Sequence, residues 1–214
     1  MDTLDSRILR YTDCFAQKFT TLGTIRYWIT SPAGHYLPEE QDSTFVVEVK
    51  AGGGARGQQH NVVVTYKDRH FIADPSKLEI VAGDCVLWHT PDTSAPGFIV
   101  FGEGETVAFN SSAITTEALY THAFGLPGEY RWADANGGPA KGIVKVTLPK
   151  PIGAESPKEI RKNFLKTLSQ PTVIRIRDDR VEPDNVQVTV GQTVFWAVER
   201  SSGLAIADIH LIKR

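Results

Sequence analysis

The sequence is poor in sulfur and contains no long apolar run. Its 214 residues include two cysteines, Cys14 and Cys85, and one methionine. Two thiols are too few for a disulfide framework or a four-thiolate zinc site. Because no stretch approaches the roughly 18 apolar residues of a membrane-spanning helix, we expect no membrane insertion.

An excess of positive charge is also missing. The formal net charge is -2 and the pI is about 6.3, so nucleic-acid partners are disfavoured.

The first residues lack the positive start and apolar run of a secretory signal. We therefore expect a cytoplasmic protein, or a periplasmic or secreted one if a signal has been removed. The 41% of hydrophobic residues is enough for a packed core.

The N-terminal residues 1–22 carry apolar side chains at helical spacing. Leu4, Ile8, Phe15 and Phe19 fall on one helical face, and Gly23 is placed to end the helix. We expect an N-terminal amphipathic helix that either lies on its own domain or docks on another subunit.

From Thr24 onward the sequence has the texture of an antiparallel β-sandwich. Short β-rich runs are separated by Gly, Pro, Asn and Asp, and no alternation of strands with helices is visible. We expect strands over Thr24–Thr30, Thr44–Val49, Asn61–Tyr66, Lys77–Val81, Asp84–His89, Phe98–Phe101, Gly128–Trp132, Gly142–Leu148, Thr172–Arg177, Asn185–Val190 and Thr193–Val198, with a final run near Ala205–Ile212.

A linker and a short helix separate two β-rich parts. Residues 149–154 are a linker by composition, and Ser156, Pro157 and Glu159 form a capping-box start for a helix. We therefore divide the chain into the helix 1–22, a domain 23–148, a linker with its helix 149–171, and a partial unit 172–214.

Two stretches of the chain are alike. Leu78–Thr90 and Val186–Val198 match at Gly83 with Gly191 and at Trp88 with Trp196, each pair 108 residues apart. The shared block is a strand, a glycine turn and a second strand that ends in tryptophan. This pattern predicts an internal repeat whose second copy stops near its middle.

Residues 60–148 resemble the cupredoxin family, the plastocyanin-like Greek-key β-sandwich. The resemblance rests on Pro75 with Leu78–Trp88, on Tyr120–Tyr130 and on Gly142–Val146. Residues 172–214 resemble only the first half of the family pattern. The resemblance implies an all-β fold: a cupredoxin-like sandwich with an N-terminal helix, a linker helix and a partial second cupredoxin-like unit.

The copper ligands of that family are absent from this sequence. Electron-transferring members hold copper with two His, one Cys and a weak axial Met. The corresponding positions hold Gly97, Ala133, Asn136 and Ala140. Alanine cannot replace the thiolate that defines a blue-copper site, so we expect no cofactor.

Two alternatives remain open at this point. An atypical copper-binding or electron-transfer site would use His60, His70 or His122. A cryptic enzyme or small-ligand binder would need a pocket, but no nucleophile motif is present, and we name no catalytic residue.

The favoured hypothesis is a non-catalytic, copper-free binding or structural module in a homo-oligomer or larger protein assembly. Strand alternation places Leu87 and Phe195 opposite the core-facing tryptophans, on outer faces that something should cover.

A partial unit of 43 residues also needs a partner, either Thr24–Thr30 and Thr44–Val49 of the same chain or another subunit. Strand edges and the N-terminal helix are the expected contacts. The contact residues would be Leu87, Phe195, Trp196, Phe15 and Phe19.

Overall fold

The computed structural model describes residues 3–32, 44–52, 57–149, 156–178 and 180–212. Within these ranges the chain forms 17 strands, one α-helix and a short 3-10 helix. The expected β-rich, sandwich-like fold class is confirmed. No helix in the described ranges is long and apolar enough to cross a membrane.

The elements follow the chain in this order. The first strands are β1 (Asp13–Lys18), β2 (Gly23–Thr30), β3 (Phe45–Lys50), β4 (Gln59–Lys67), β5 (His70–Asp74), β6 (Lys77–Val81), β7 (Cys85–His89), β8 (Ile99–Glu103) and β9 (Ala108–Asn110). The later elements are β10 (Ala118–Ala123), β11 (Gly128–Asp134), β12 (Lys141–Thr147), helix α1 (Pro157–Leu168), β13 (Thr172–Arg177), β14 (Arg180–Glu182), β15 (Asn185–Thr189), β16 (Thr193–Arg200), β17 (Ile206–Asp208) and the 3-10 helix Ile209–Leu211.

Three sheets hold these strands. The largest has the order β14-β13-β16-β10-β1-β7-β4-β5, the second β6-β3-β2-β8-β9, and the third β15-β12-β11-β17. Phe15 and Tyr120 lie directly opposite each other on β1 and β10, so they share one face of the eight-stranded sheet. Phe15 packs on Phe109 of the five-stranded sheet. Tyr120 packs on Trp196, which contacts Trp132 of the four-stranded sheet. Both smaller sheets therefore cover the same face of the large one.

The strand pairings occur twice along the chain. β4 with β7 and β13 with β16 are parallel pairs in the large sheet, and β3 with β6 and β12 with β15 are parallel pairs in the smaller sheets. The registers also agree, because Gly23 pairs with Val49 as Gly128 pairs with Val146. We call β1–β9 the N-terminal unit and β10–β17 the C-terminal unit.

The strand pairing divides the chain differently from our expected boundaries. Strands β10, β11 and β12 pair with β16, β17 and β15, so residues 118–147 complete the C-terminal unit. Strands β1, β2 and β3 complete the N-terminal unit instead. The expected domain 23–148 joins strands that belong to different sandwiches, because neighbours in sequence are not always neighbours in a sheet.

The helix expected over residues 1–22 is wrong. Residues 13–18 form β1, which lies in the middle of the eight-stranded sheet between β7 and β10. Phe15, Gln17 and Phe19 are buried, while Lys18 between them is exposed. This is the alternation of a strand, and the four-residue spacing of the two phenylalanines fits either structure.

The helix expected after Ser156 is present as α1. The Ser156 hydroxyl accepts from the backbone N–H of Glu159, whose carboxylate accepts from the Ser156 N–H in return. Much of its apolar face stays accessible, with Ile160 38% and Leu165 53% exposed.

Each unit has a tryptophan at its centre. Trp88 and Trp196 are fully buried, and each follows a turn at a glycine with positive φ, Gly83 or Gly191. A side chain at that φ is strained, which explains why glycine stands at both turns.

Candidate functional site

One groove on the described surface lies on the outward face of the N-terminal unit. It has a volume of about 640 Å³ and is floored by β2, β8 and β9. Strand alternation sends Ile25, Tyr27 and Ile29 into the core and leaves Trp28 and Thr30 half-buried on the outer face. The groove is therefore built from the side chains that the sandwich does not bury.

A row of three side chains crosses the floor of this groove. Trp28 pairs with Phe101 across β2 and β8, and Phe101 pairs with Asn110 across β8 and β9. The rings of Trp28 and Phe101 are nearly parallel, with centroids 5.7 Å apart and planes 19° apart. The row thus places an aromatic pair beside an amide.

Hydrogen bonds fix the wall formed by residues 110–115. The buried Ser111 hydroxyl accepts from the Val100 N–H at 3.0 Å, and the Ser111 N–H donates to the Val100 carbonyl at 2.8 Å. Ile114 and Leu204 exchange two backbone hydrogen bonds of 2.7 and 2.8 Å. The second contact ties the wall to the C-terminal unit, whose Ser202 also lines the groove.

The corresponding place in the C-terminal unit has no aromatic pair. Tyr27 and Trp132 occupy matching buried positions on β2 and β11, so Trp28 corresponds to Ala133. Ala133 pairs with Ala207 in the way that Trp28 pairs with Phe101. The same sandwich therefore forms with two small residues at this place.

Three of the expected contact residues lie elsewhere than on the surface. Phe15, Phe19 and Trp196 are at most 1% exposed and pack in the core, so their expected role in contacts with a partner is wrong. Leu87 and Phe195 do lie half-buried on the outward face of the eight-stranded sheet. Whether they bind a partner stays a prediction.

The histidines of the atypical-metal hypothesis do not come together. His60 on β4 and His122 on β10 have β7 and β1 between them, which is about 14 Å across the sheet at ordinary strand spacing. The register also sets the two histidines four residues apart along the strands. His70 begins the edge strand β5 and is exposed. In the described ranges no group of three His, Cys, Asp or Glu side chains is arranged to hold a metal.

The positions that the cupredoxin resemblance assigns to copper ligands make structural contacts in this fold. Gly97 lies against Ile8 and Leu9. In the C-terminal unit, the loop with Asn136 and the buried Ala140 is organised by Asp134. One Asp134 oxygen accepts from the backbone N–H groups of Asn136 and Ala205 at 2.9 and 3.0 Å. The Asp134 carboxylate thus holds the turn in place. Matching the sequence to the copper-ligand positions gave no indication of this contact.

A buried polar cluster joins the two units at the β1–β10 seam. One Asp13 oxygen accepts from the Tyr120 hydroxyl and from His122 Nδ1, both at 2.7 Å, and the other accepts from the Arg10 N–H at 2.9 Å. Because a carboxylate only accepts, His122 Nδ1 carries the hydrogen. Burial, with the nearby Asp13 carboxylate, raises the pKa of Tyr120 well above its ordinary value, so Tyr120 stays a neutral donor. We name these residues the seam cluster.

A second carboxylate, Asp84, holds the turn before β7. It accepts from the Gln58 N–H at 2.7 Å, from His60 Nε2 at 2.8 Å and from the Val81 N–H at 3.1 Å. Burial acts to raise the pKa of Asp84, but these hydrogen bonds outweigh it and leave the pKa below its ordinary value. The matching position in the C-terminal unit is the uncharged Gln192, which accepts from the Thr189 N–H at 2.7 Å.

Asp84→Asn is expected to lower the free energy of unfolding at neutral pH by about 1–3 kcal/mol, since an amide cannot accept all three bonds. The folded-state pKa is lowered, so the carboxylate stabilises the fold above its unfolded pKa of about 3.9. That contribution is lost as the pH falls through the lower folded pKa. The difference in free energy of unfolding between wild type and Asp84→Asn, measured by urea denaturation, should therefore become smaller below about pH 4. In the control Gln192→Ala, the difference in free energy of unfolding from wild type should stay constant over this pH range. A constant difference for Asp84→Asn as well would contradict the stabilising role of the Asp84 carboxylate.

No family model, curated protein or solved structure matches the chain. Function is therefore inferred from the groove, the seam cluster and the pairing of the strands.

Proposed function

We propose that this protein is a non-catalytic binding module that holds its ligand in the groove at Trp28 and Phe101. One observation carries this proposal. The N-terminal unit has an aromatic pair on an outward face where the matching position of the C-terminal unit has Ala133 and Ala207. Because the C-terminal unit makes the same strand pairing with two small residues, ligand binding is the favoured reason for the large rings.

We further infer that both units are copper-free, cupredoxin-like sandwiches related by an internal duplication. The sequence resemblance of residues 60–148 supports the family, and the doubled strand pairing supports the duplication. The matching turns at Gly83 and Gly191 add to that support. The C-terminal unit and the seam cluster would then serve as scaffold for the groove.

We also keep the proposal that the module works in a homo-oligomer or larger assembly. The outward face of the eight-stranded sheet supports it, because its middle carries apolar side chains rather than charges. These residues are half-buried or buried, and they line four adjacent strands: Leu87, Ala16, Leu119, Ala197 and Phe195. Strand edges such as β5 and β14 are further candidate contacts.

A ligand-observed NMR screen of small metabolites and fragments tests the groove. The wild type is compared with the Trp28→Ala, Phe101→Ala double variant and with Tyr11→Ala, which removes an exposed aromatic outside the groove. We expect compounds that bind wild type and Tyr11→Ala and lose binding to the double variant. A set of binders that is the same for all three proteins, or the absence of any binder, would overturn the proposal.

A further inference from the structure

The polar side chains that line the groove are almost all uncharged. Among the described lining residues, five carry a hydroxyl or an amide, one carries a carboxylate, and none is Lys, Arg or His. The polar lining residues are Thr30, Glu103, Asn110, Ser112, Thr115 and Ser202. A ligand that carries several negative charges would meet the Glu103 carboxylate. Its cross-strand neighbour Arg26 lies outside the lining of the groove, so the lining itself disfavours phosphorylated and sulfated ligands.

The amide of Asn110 is held in one orientation. Its Oδ1 accepts from the Ser112 N–H at 2.8 Å and from the Ser112 hydroxyl at 2.7 Å. These bonds leave the NH2 group as the part of Asn110 that can donate to a ligand. Because the Ser112 hydroxyl donates its hydrogen to Asn110, its oxygen remains available to accept a hydrogen bond from a ligand. The wall thus offers a fixed donor close to an acceptor.

We propose that the ligand is a neutral saccharide, held with a ring over the aromatic pair and its hydroxyl groups toward the wall. A sugar ring has an apolar face of C–H groups, which suits the rings of Trp28 and Phe101. Its hydroxyls both donate and accept, as the mixed wall requires. A groove of about 640 Å³ has the size of a small-molecule site and accommodates a short oligosaccharide.

A proline-rich peptide is the nearest alternative, because such peptides also dock on aromatic grooves. Proline has no backbone N–H, so a run of prolines offers acceptors and no donors. It would leave the Glu103 carboxylate and the Ser112 oxygen without donors from the ligand. A saccharide supplies donors to both, and the wall therefore favours it.

This inference rests on the proposed function, and its test keeps the two apart. The probes are an array of defined neutral oligosaccharides with their sulfated counterparts, and a decaproline peptide. Compounds that bind are then measured by titration calorimetry. We expect a neutral oligosaccharide to bind with a Kd at or below the millimolar range and its sulfated counterpart to bind more weakly.

Variants connect the binding to the groove. Trp28→Ala should raise the Kd about tenfold or more by removal of the ring contact. Glu103→Gln should raise it severalfold through loss of a charge-assisted acceptor. Tyr11→Ala should leave the Kd unchanged.

Each other outcome overturns a stated part of the account. If no saccharide binds up to about 10 mM while other compounds still need Trp28 and Phe101, the saccharide assignment fails and the binding function stands. Decaproline that binds through Trp28 in the absence of saccharide binding has the same meaning. A saccharide that binds Trp28→Ala as well as wild type overturns both the assignment and the groove.

Discussion

Replacing Asp13 by alanine is expected to lower the free energy of unfolding by about 3–5 kcal/mol, which would unfold a marginally stable protein. Asp13 is buried at the seam between the two units and is the shared acceptor for Tyr120, His122 and the Arg10 N–H. Without it, the Tyr120 hydroxyl and the His122 Nδ1–H lose their acceptor in the protein interior. An unsatisfied buried donor costs more than the hydrogen bond contributed.

Urea denaturation measures this change, and two further variants define its cause. Asp13→Asn keeps one oxygen to accept from Tyr120 and His122. Its free energy of unfolding should therefore lie between those of wild type and Asp13→Ala. Glu129→Ala removes an exposed carboxylate that pairs with Arg131 and should change stability little. A loss below about 1 kcal/mol for Asp13→Ala would show that the seam cluster does not hold the units together.

Replacing either central tryptophan by alanine should also cost about 3–5 kcal/mol. Trp88 packs on Phe15, Tyr27 and Phe109, with ring centroids 5.2 to 5.8 Å away. Trp196 packs on Tyr120 at 5.6 Å. Both side chains are fully buried, so each variant leaves a large cavity.

The shape of the unfolding curve is the more informative part of this prediction. The eight-stranded sheet runs through both units and its β1–β10 seam is buried, so the units should unfold together. Trp88→Ala and Trp196→Ala should each shift one shared transition, observed by calorimetry and by circular dichroism. Two transitions, of which a variant moves only one, would mean that the units are independent.

Local pattern was sufficient for much of the fold. Lys77–Val81 and Thr172–Arg177 are strands with the predicted bounds, because their alternation is a property of the segment itself. The capping box at Ser156 likewise located the start of α1. The same alternation correctly put Leu87 on the face opposite Trp88.

What failed depends on contacts between distant segments. The spacing of Phe15 and Phe19 suits a helix or a strand, and only the neighbouring strands β7 and β10 decide for the strand. Nothing local states that β10–β12 complete the C-terminal unit. The groove was missed for the same reason, since it needs β2 beside β8. A hint was present, because Trp28 follows the core residue Tyr27 and must face outward.

The measurement that tests the central claim most directly is the stability of the Trp28→Ala, Phe101→Ala double variant, with Tyr27→Ala for comparison. The claim is that the aromatic pair serves binding rather than folding, as Ala133 and Ala207 indicate. Urea denaturation should then show a loss of about 1 kcal/mol, the value of a cross-strand pair. Truncation of the buried neighbour in Tyr27→Ala should lower the free energy of unfolding by about 3–5 kcal/mol. A loss for the double variant as large as that for Tyr27→Ala would make the pair part of the core and contradict the account.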